Sequence, residues 1–147
     1  MGIGSGRNKT EDMTRKHEIL TPEERAKLLN ALHGIRKVVQ WKPGKDILDL
    51  KKRQKMKHLP LSATLLDYHE AISALIGNEQ NIIYLYEFRG THYYAVRGFL
   101  GEKEWLVIFG TGGVMETAFP PENIDHYLGH RGFVPLGRIE EVLKWTE

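Results

Sequence analysis

No cysteine occurs among the 147 residues, which excludes a disulfide framework and any thiolate-bound metal and leaves His and carboxylates as the only side chains able to ligate one. A reducing compartment is compatible with that absence. No window approaches 18 consecutive apolar residues, and the polar start over residues 1–10 lacks the apolar core of a signal peptide. Neither a membrane span nor a Sec-type leader is expected, and the reading is cytoplasmic. Residues 1–20, Gly-rich and then charged without periodicity, read as a flexible polar tail or cloning scar.

What remains, 21–147, has the size of a single domain, and 41% hydrophobic with 10% aromatic residues is ordinary globular composition. Charge is unevenly placed. Before Pro60 there are 15 Lys/Arg against 7 Asp/Glu (+8), and after it 6 against 12 (−6). The first half therefore either meets a polyanion or docks on the acidic second half.

Thr21-Pro22-Glu23-Glu24 supplies an N-cap, a first-turn proline and a capping-box Glu; Leu28, Leu29 and Leu32 follow at helical spacing, and Gly34 reads as the stop. Val38-Val39 gives 35–41 some strand character, and 45–50 reads as a short helix or irregular segment carrying the basic run. A helix over 62–76 places Leu65, Tyr68, Ile72, Leu75 and Ile76 on one face. Strands at 81–88 and 91–97 are separated only by Arg89-Gly90, and 104–109 and 114–119 flank Gly110-Thr111-Gly112-Gly113, giving two hairpins. A turn of helix over 124–128 and a last short helix at Ile139, Val142 and Leu143 complete an α+β domain: N-terminal helices on one face of a four-stranded antiparallel sheet, the other face open.

The run Lys51, Lys52, Arg53, Lys55, Lys57 ending at His58 gathers positive charge beside a titratable group, and the strands carry Glu87, Arg89, His92, Arg97, Glu116 and Thr117 among tyrosines at 84, 86, 93 and 94. That inventory supplies proton transfer and phosphate neutralisation. By period two His92 and Arg97 face opposite ways, and Arg97 could instead pair with Glu87. His126 and His130 have i, i+4 spacing, but Gly129 interrupts them and no zincin Glu follows, so a solvated turn is the reading and no metal is expected. Gly110-Thr111-Gly112-Gly113 lacks the Lys-Ser/Thr of a phosphate loop.

Tyr93-Tyr94, the strand Glu104-Trp105-Leu106-Val107-Ile108-Phe109, and Gly112-Gly113-Val114-Met115-Glu116-Thr117-Ala118-Phe119-Pro120 together resemble the barnase-EndoU-colicin-RelE group of toxin ribonucleases, in its phage- and bacterial-toxin branch. The resemblance spans about residues 50–121. It implies a cofactor-free, metal-independent endoribonuclease that cuts RNA, tRNA included, by 2′-hydroxyl attack, delivered within a larger toxin and held by a cognate immunity protein or antitoxin. Carried over by motif, the catalytic residues are His58, Arg97 (or Arg89) and Thr117. Lys51, Lys52, Arg53, Lys55, Lys57, Arg89 and Tyr93 would bind RNA. The alternative is a non-catalytic module of a phage or mobile element that binds nucleic acid or protein.

Overall fold

The computed structural model describes residues 20–145. The tail read at 1–20 lies outside them apart from Leu20, which is buried and belongs to the core. Helix α1 (Pro22–Lys37) starts as its sequence dictates: Thr21 Oγ1 accepts the Glu24 N–H at 3.1 Å, and Glu24 accepts the Thr21 N–H at 2.8 Å. Leu28, Ala31, Leu32 and Ile35 are its buried face. Gly34 does not stop it. A Cβ at Gly34 would lie 2.8 Å from the Gly112 oxygen, and one at Gly113 (φ +82°) 2.7 Å from the Ala31 oxygen. The glycines let the turn Thr111–Gly113 press against the helix backbone. The strand character of 35–41 reduces to the end of α1 and a single parallel bridge from Gln40 to Val114.

The basic run is helical as far as Lys55, in α2 (Lys45–Lys55), and its last members Lys57 and His58 lie in the turn that follows. Helix α3 (Leu65–Gly77) opens on a second capping box, Thr64 with Asp67, and buries Tyr68, Ile72, Leu75 and Ile76. Strands β1 (Ile82–Phe88), β2 (Thr91–Leu100), β3 (Lys103–Phe109) and β4 (Met115–Phe119) form the expected antiparallel meander. A fifth strand, β5 (Val134–Arg138), pairs antiparallel with β1, so the order is β4-β3-β2-β1-β5. Pro135 and Gly137 hide it from a strand pattern. Both are tolerated at a sheet edge, where the register also shifts between Ile83 and Tyr84.

The other correction concerns the open face. Helices α1–α3 cover one side, over Ile83, Leu85, Tyr94, Val96, Trp105, Val107 and Phe109. On the other side α4 (Ile124–Arg131) and Phe133 bury Tyr84, Ala95, Leu106 and Ile108. Gly129 lies inside α4, which ends instead at Gly132 with φ +76°, the left-handed cap glycine favours. The short helix α5 (Ile139–Leu143) closes the described chain. No helix among the described residues is long and apolar enough to cross a membrane.

Candidate functional site

Helix α2 runs along the β4 edge of the sheet, and its residues at i, i+4 and i+8 meet that strand in order. Lys45 pairs with Glu116 at 2.8 Å, Asp49 accepts the Thr117 hydroxyl at 3.0 Å, and the Arg53 guanidinium lies 5.4 Å from the Phe119 ring centre. Helical periodicity alone puts these three on one face. Asp49, nearly buried, also accepts the phenolic proton of Tyr68 at 2.5 Å, and the Tyr68 oxygen takes the Ala118 N–H at 3.1 Å. Burial, reinforced by Asp49, raises the Tyr68 pKa, so the phenol keeps the proton it donates.

Arg53 holds His58 twice. Its carbonyl accepts the His58 N–H at 2.8 Å while Gln54 accepts that of Lys57 at 3.0 Å, the paired bonds of a Schellman cap, with Lys57 (φ +62°) at the left-handed position where glycine is usual. Its side chain then turns back, placing Nη1 2.9 Å from His58 Nδ1. A guanidinium has only protons to offer. Nδ1 is therefore the acceptor, and the neutral ring carries its proton on Nε2. The imidazole also meets the edge of Trp105 at 6.4 Å between ring centres. Arg53 is only 2% exposed. Among the described residues no carboxylate pairs with it, since Asp49 one turn away is engaged by Tyr68 and Thr117, and its Nε is a buried donor without a partner.

His58 lines a cleft of about 880 Å³, together with Lys103 from the start of β3 and His126, Tyr127 and Arg131 from α4; Phe99 and Phe119 supply aromatic wall. Two imidazoles and two cations thus converge from three parts of the chain. Glu102, Glu104 and Glu122 share the wall and limit the net charge. The i, i+4 pair His126 and His130 stacks at 5.4 Å on a helix rather than a turn, and no third ligating side chain joins them among the described residues.

The residues expected to act together lie in different surroundings. His58 is in the cleft. Thr117 sits outside its lining, with its hydroxyl proton committed to Asp49. Arg97 does not pair with Glu87. It forms a bidentate pair with Glu104 at 2.8 and 3.0 Å, reaches Asp125 at 2.9 Å, and is held firmly charged, chiefly by Glu104. Arg97 thereby fixes a carboxylate of the cleft wall. Its strand-mate His92 faces the opposite side, 3.7 Å from Glu24 and 3.9 Å from Glu87. Of the basic run, Lys51, Lys52, Lys55 and Lys57 are exposed and pair with no carboxylate among the described residues, whereas Arg53 is interior. Arg89 occupies the β1–β2 turn, and Tyr93 is half-buried beside Tyr86. Ion pairs between the oppositely charged halves use Arg36 with Glu79 and Lys45 with Glu116.

Desolvation, then the charges of Arg53 and Lys103, hold the His58 pKa below the ordinary value. The unfolded chain therefore binds a proton first as pH falls below about 6.5. Stability present above that pH is lost as pH falls towards the folded-state pKa. Urea midpoints between pH 7.5 and 5 are expected to drop more for the wild type than for His58→Gln; equal drops would remove His58 as a source.

Comparison with protein-family models, with curated proteins and with solved structures returns no match.

Proposed function

We propose that the protein is a metal-independent endoribonuclease that cleaves RNA by attack of a 2′-hydroxyl on the adjacent phosphate. The observation that carries this reading is the Arg53–His58 pair: a buried guanidinium with no carboxylate partner among the described residues, bonded to an imidazole that lines a cleft. A buried cation without a counter-ion is costly, and a phosphodiester held in the cleft at His58 would bring negative charge close to it without touching the guanidinium, which lies behind the lining. With Nδ1 taken by Arg53, His58 serves the phosphate through Nε2–H, a donor aimed at charge that grows in the transition state. His126 supplies the second imidazole and takes the 2′-hydroxyl proton; the departing 5′ oxygen takes one from solvent. Lys103 and Arg131 neutralise the phosphate, and the four exposed lysines at 51, 52, 55 and 57 hold flanking phosphates. Resemblance to toxin ribonucleases over residues 50–121 supports the ribonuclease reading and the place of His58 in it, and with it a cognate inhibitor; the roles given to Lys103, His126 and Arg131 rest on the cleft alone.

The test is incubation of the purified protein with total bacterial RNA, with and without EDTA, followed by analysis of fragment ends. Discrete fragments bearing 2′,3′-cyclic phosphate and 5′-hydroxyl ends in EDTA are expected. RNA bound in a salt-dependent way yet left intact would replace this reading with a non-catalytic binding module.

A further inference from the structure

A row of aromatic rings leads out of the cleft across the α4 side of the sheet. Phe119 meets Tyr127 at 5.2 Å, Tyr127 meets Phe133 at 5.9 Å, Phe133 stacks on Tyr86 at 4.3 Å, and Tyr86 meets Phe88 at 6.1 Å. Three of these rings carry a guanidinium: Arg53 on Phe119, Arg131 on Tyr127 at 4.0 Å, and Arg89 on Phe88 at 5.0 Å. Burial in the second core explains Tyr86, Tyr127, Phe119 and Phe133. It does not explain Phe88, which is 47% exposed and belongs to neither core.

The turn beside it is also unexplained by stability. Arg89 and Gly90 both have positive φ, +52° and +80°, as in the two-residue turn for which Asn-Gly is preferred. An arginine at the first position is strained where asparagine would be comfortable.

We infer that Phe88 and Arg89 form an outlying subsite for an unpaired base and its phosphate, so that the substrate is a single strand running from the cleft along the aromatic row to the β1–β2 turn. Stacking on an exposed ring is tolerant of base identity, and a guanidinium beside the ring meets the backbone charge. Glu87, next in the chain, meets His92 on the opposite face and so does not repel that backbone. Phe88 and Phe119 lie on strands three places apart in the sheet, and the ring contacts between them bound the separation of their ring centres at about 21 Å, a span for which a trinucleotide seated in the cleft is too short. The inference rests on the cleft being an RNA site.

The test uses the full chain, with fluorescein-labelled 2′-O-methyl oligonucleotides of three and twelve nucleotides titrated by anisotropy at fixed salt. Phe88→Ala is expected to weaken the twelve-mer by about tenfold and the trinucleotide by less than about twofold, with the melting temperature kept. Arg89→Asn is expected to raise the melting temperature by a few degrees while weakening the twelve-mer, opposite signs that a merely structural arginine would not give. Equal loss at both lengths, or unchanged twelve-mer affinity in both variants, overturns the subsite. Length-dependent loss in a protein that cuts no RNA keeps the subsite and removes the catalytic reading. A wild type that binds neither oligonucleotide removes both.

Discussion

His58→Gln is expected to retain measurable RNA cleavage, whereas His58→Ala and His58→Asn each lose about 10²–10³-fold in kcat. The order follows from which ring nitrogen does the work. Arg53 takes the Nδ1 lone pair, so the protein keeps the proton at Nε2. Glutamine can present an amide N–H near that position; asparagine can replace only the acceptor towards Arg53, and alanine replaces neither. Were His58 instead the base that removes the 2′-hydroxyl proton, glutamine would be as inactive as alanine, because an amide accepts no proton near neutral pH. Single-turnover cleavage of one RNA oligonucleotide by the three variants separates the two roles. Equal loss in all three sinks the donor assignment, and full activity in all three removes His58 from the mechanism. A matching loss in His126→Ala is required if the 2′-hydroxyl proton goes to that imidazole.

That His58 is a candidate was legible in the sequence because a titratable group ends a run of cations; that Arg53 is the residue bonded to it was not. Arg53 looks like the lysines around it, and only the path of α2 along β4 turns that one position inward over Phe119. Lys103, His126 and Arg131 were equally out of reach as a group, since a strand end and a separate helix bring them to one cleft. Local signals fared better where the physics is local. The boxes at Thr21 and the buried stripe of α3 depend on residues three or four apart, and both formed. The covered second face had a local signal too: Trp105-Leu106-Val107-Ile108-Phe109 is apolar at every position, as a strand buried on both sides must be, rather than alternating. Pro135 concealed β5 because a proline argues against a strand except at an edge, and edge position is a property of the whole sheet. Gly34 and Gly129 read as breaks because glycine disfavours helix locally. In Gly34 the cost is offset by close approach to Gly112, which no local pattern announces.

Removing the Asp49 carboxylate should cost more stability than any other single polar change, and it should carry activity with it. Asp49→Ala removes the acceptor of two hydroxyls at once, that of the fully buried Tyr68, which is left with the Ala118 carbonyl at 2.9 Å, and that of the half-buried Thr117. Losing a charged acceptor costs about 1.5–3 kcal/mol per hydrogen bond when nothing replaces it; with the Ala118 carbonyl and solvent taking up part of the demand, a loss of ~2–3 kcal/mol is expected in urea unfolding. Asp49→Asn keeps one acceptor and should lose less, about 1–2 kcal/mol. Tyr68→Phe removes the phenol that both Asp49 and the Ala118 N–H use, and a double-mutant cycle between Asp49→Asn and Tyr68→Phe should show coupling of about 1 kcal/mol or more. Asp49 lies one turn before Arg53 on α2, so loosening its grip on β4 also frees the guanidinium that sets the His58 tautomer. Asp49→Asn is therefore expected to cut RNA more slowly at a temperature where it remains folded, while Lys45→Ala, which breaks only the partly exposed pair with Glu116, should lose under ~1 kcal/mol and keep its activity. If Asp49→Asn cleaves at the wild-type rate while folded, the clamp is structural only, and Arg53 keeps its hold on His58 without it.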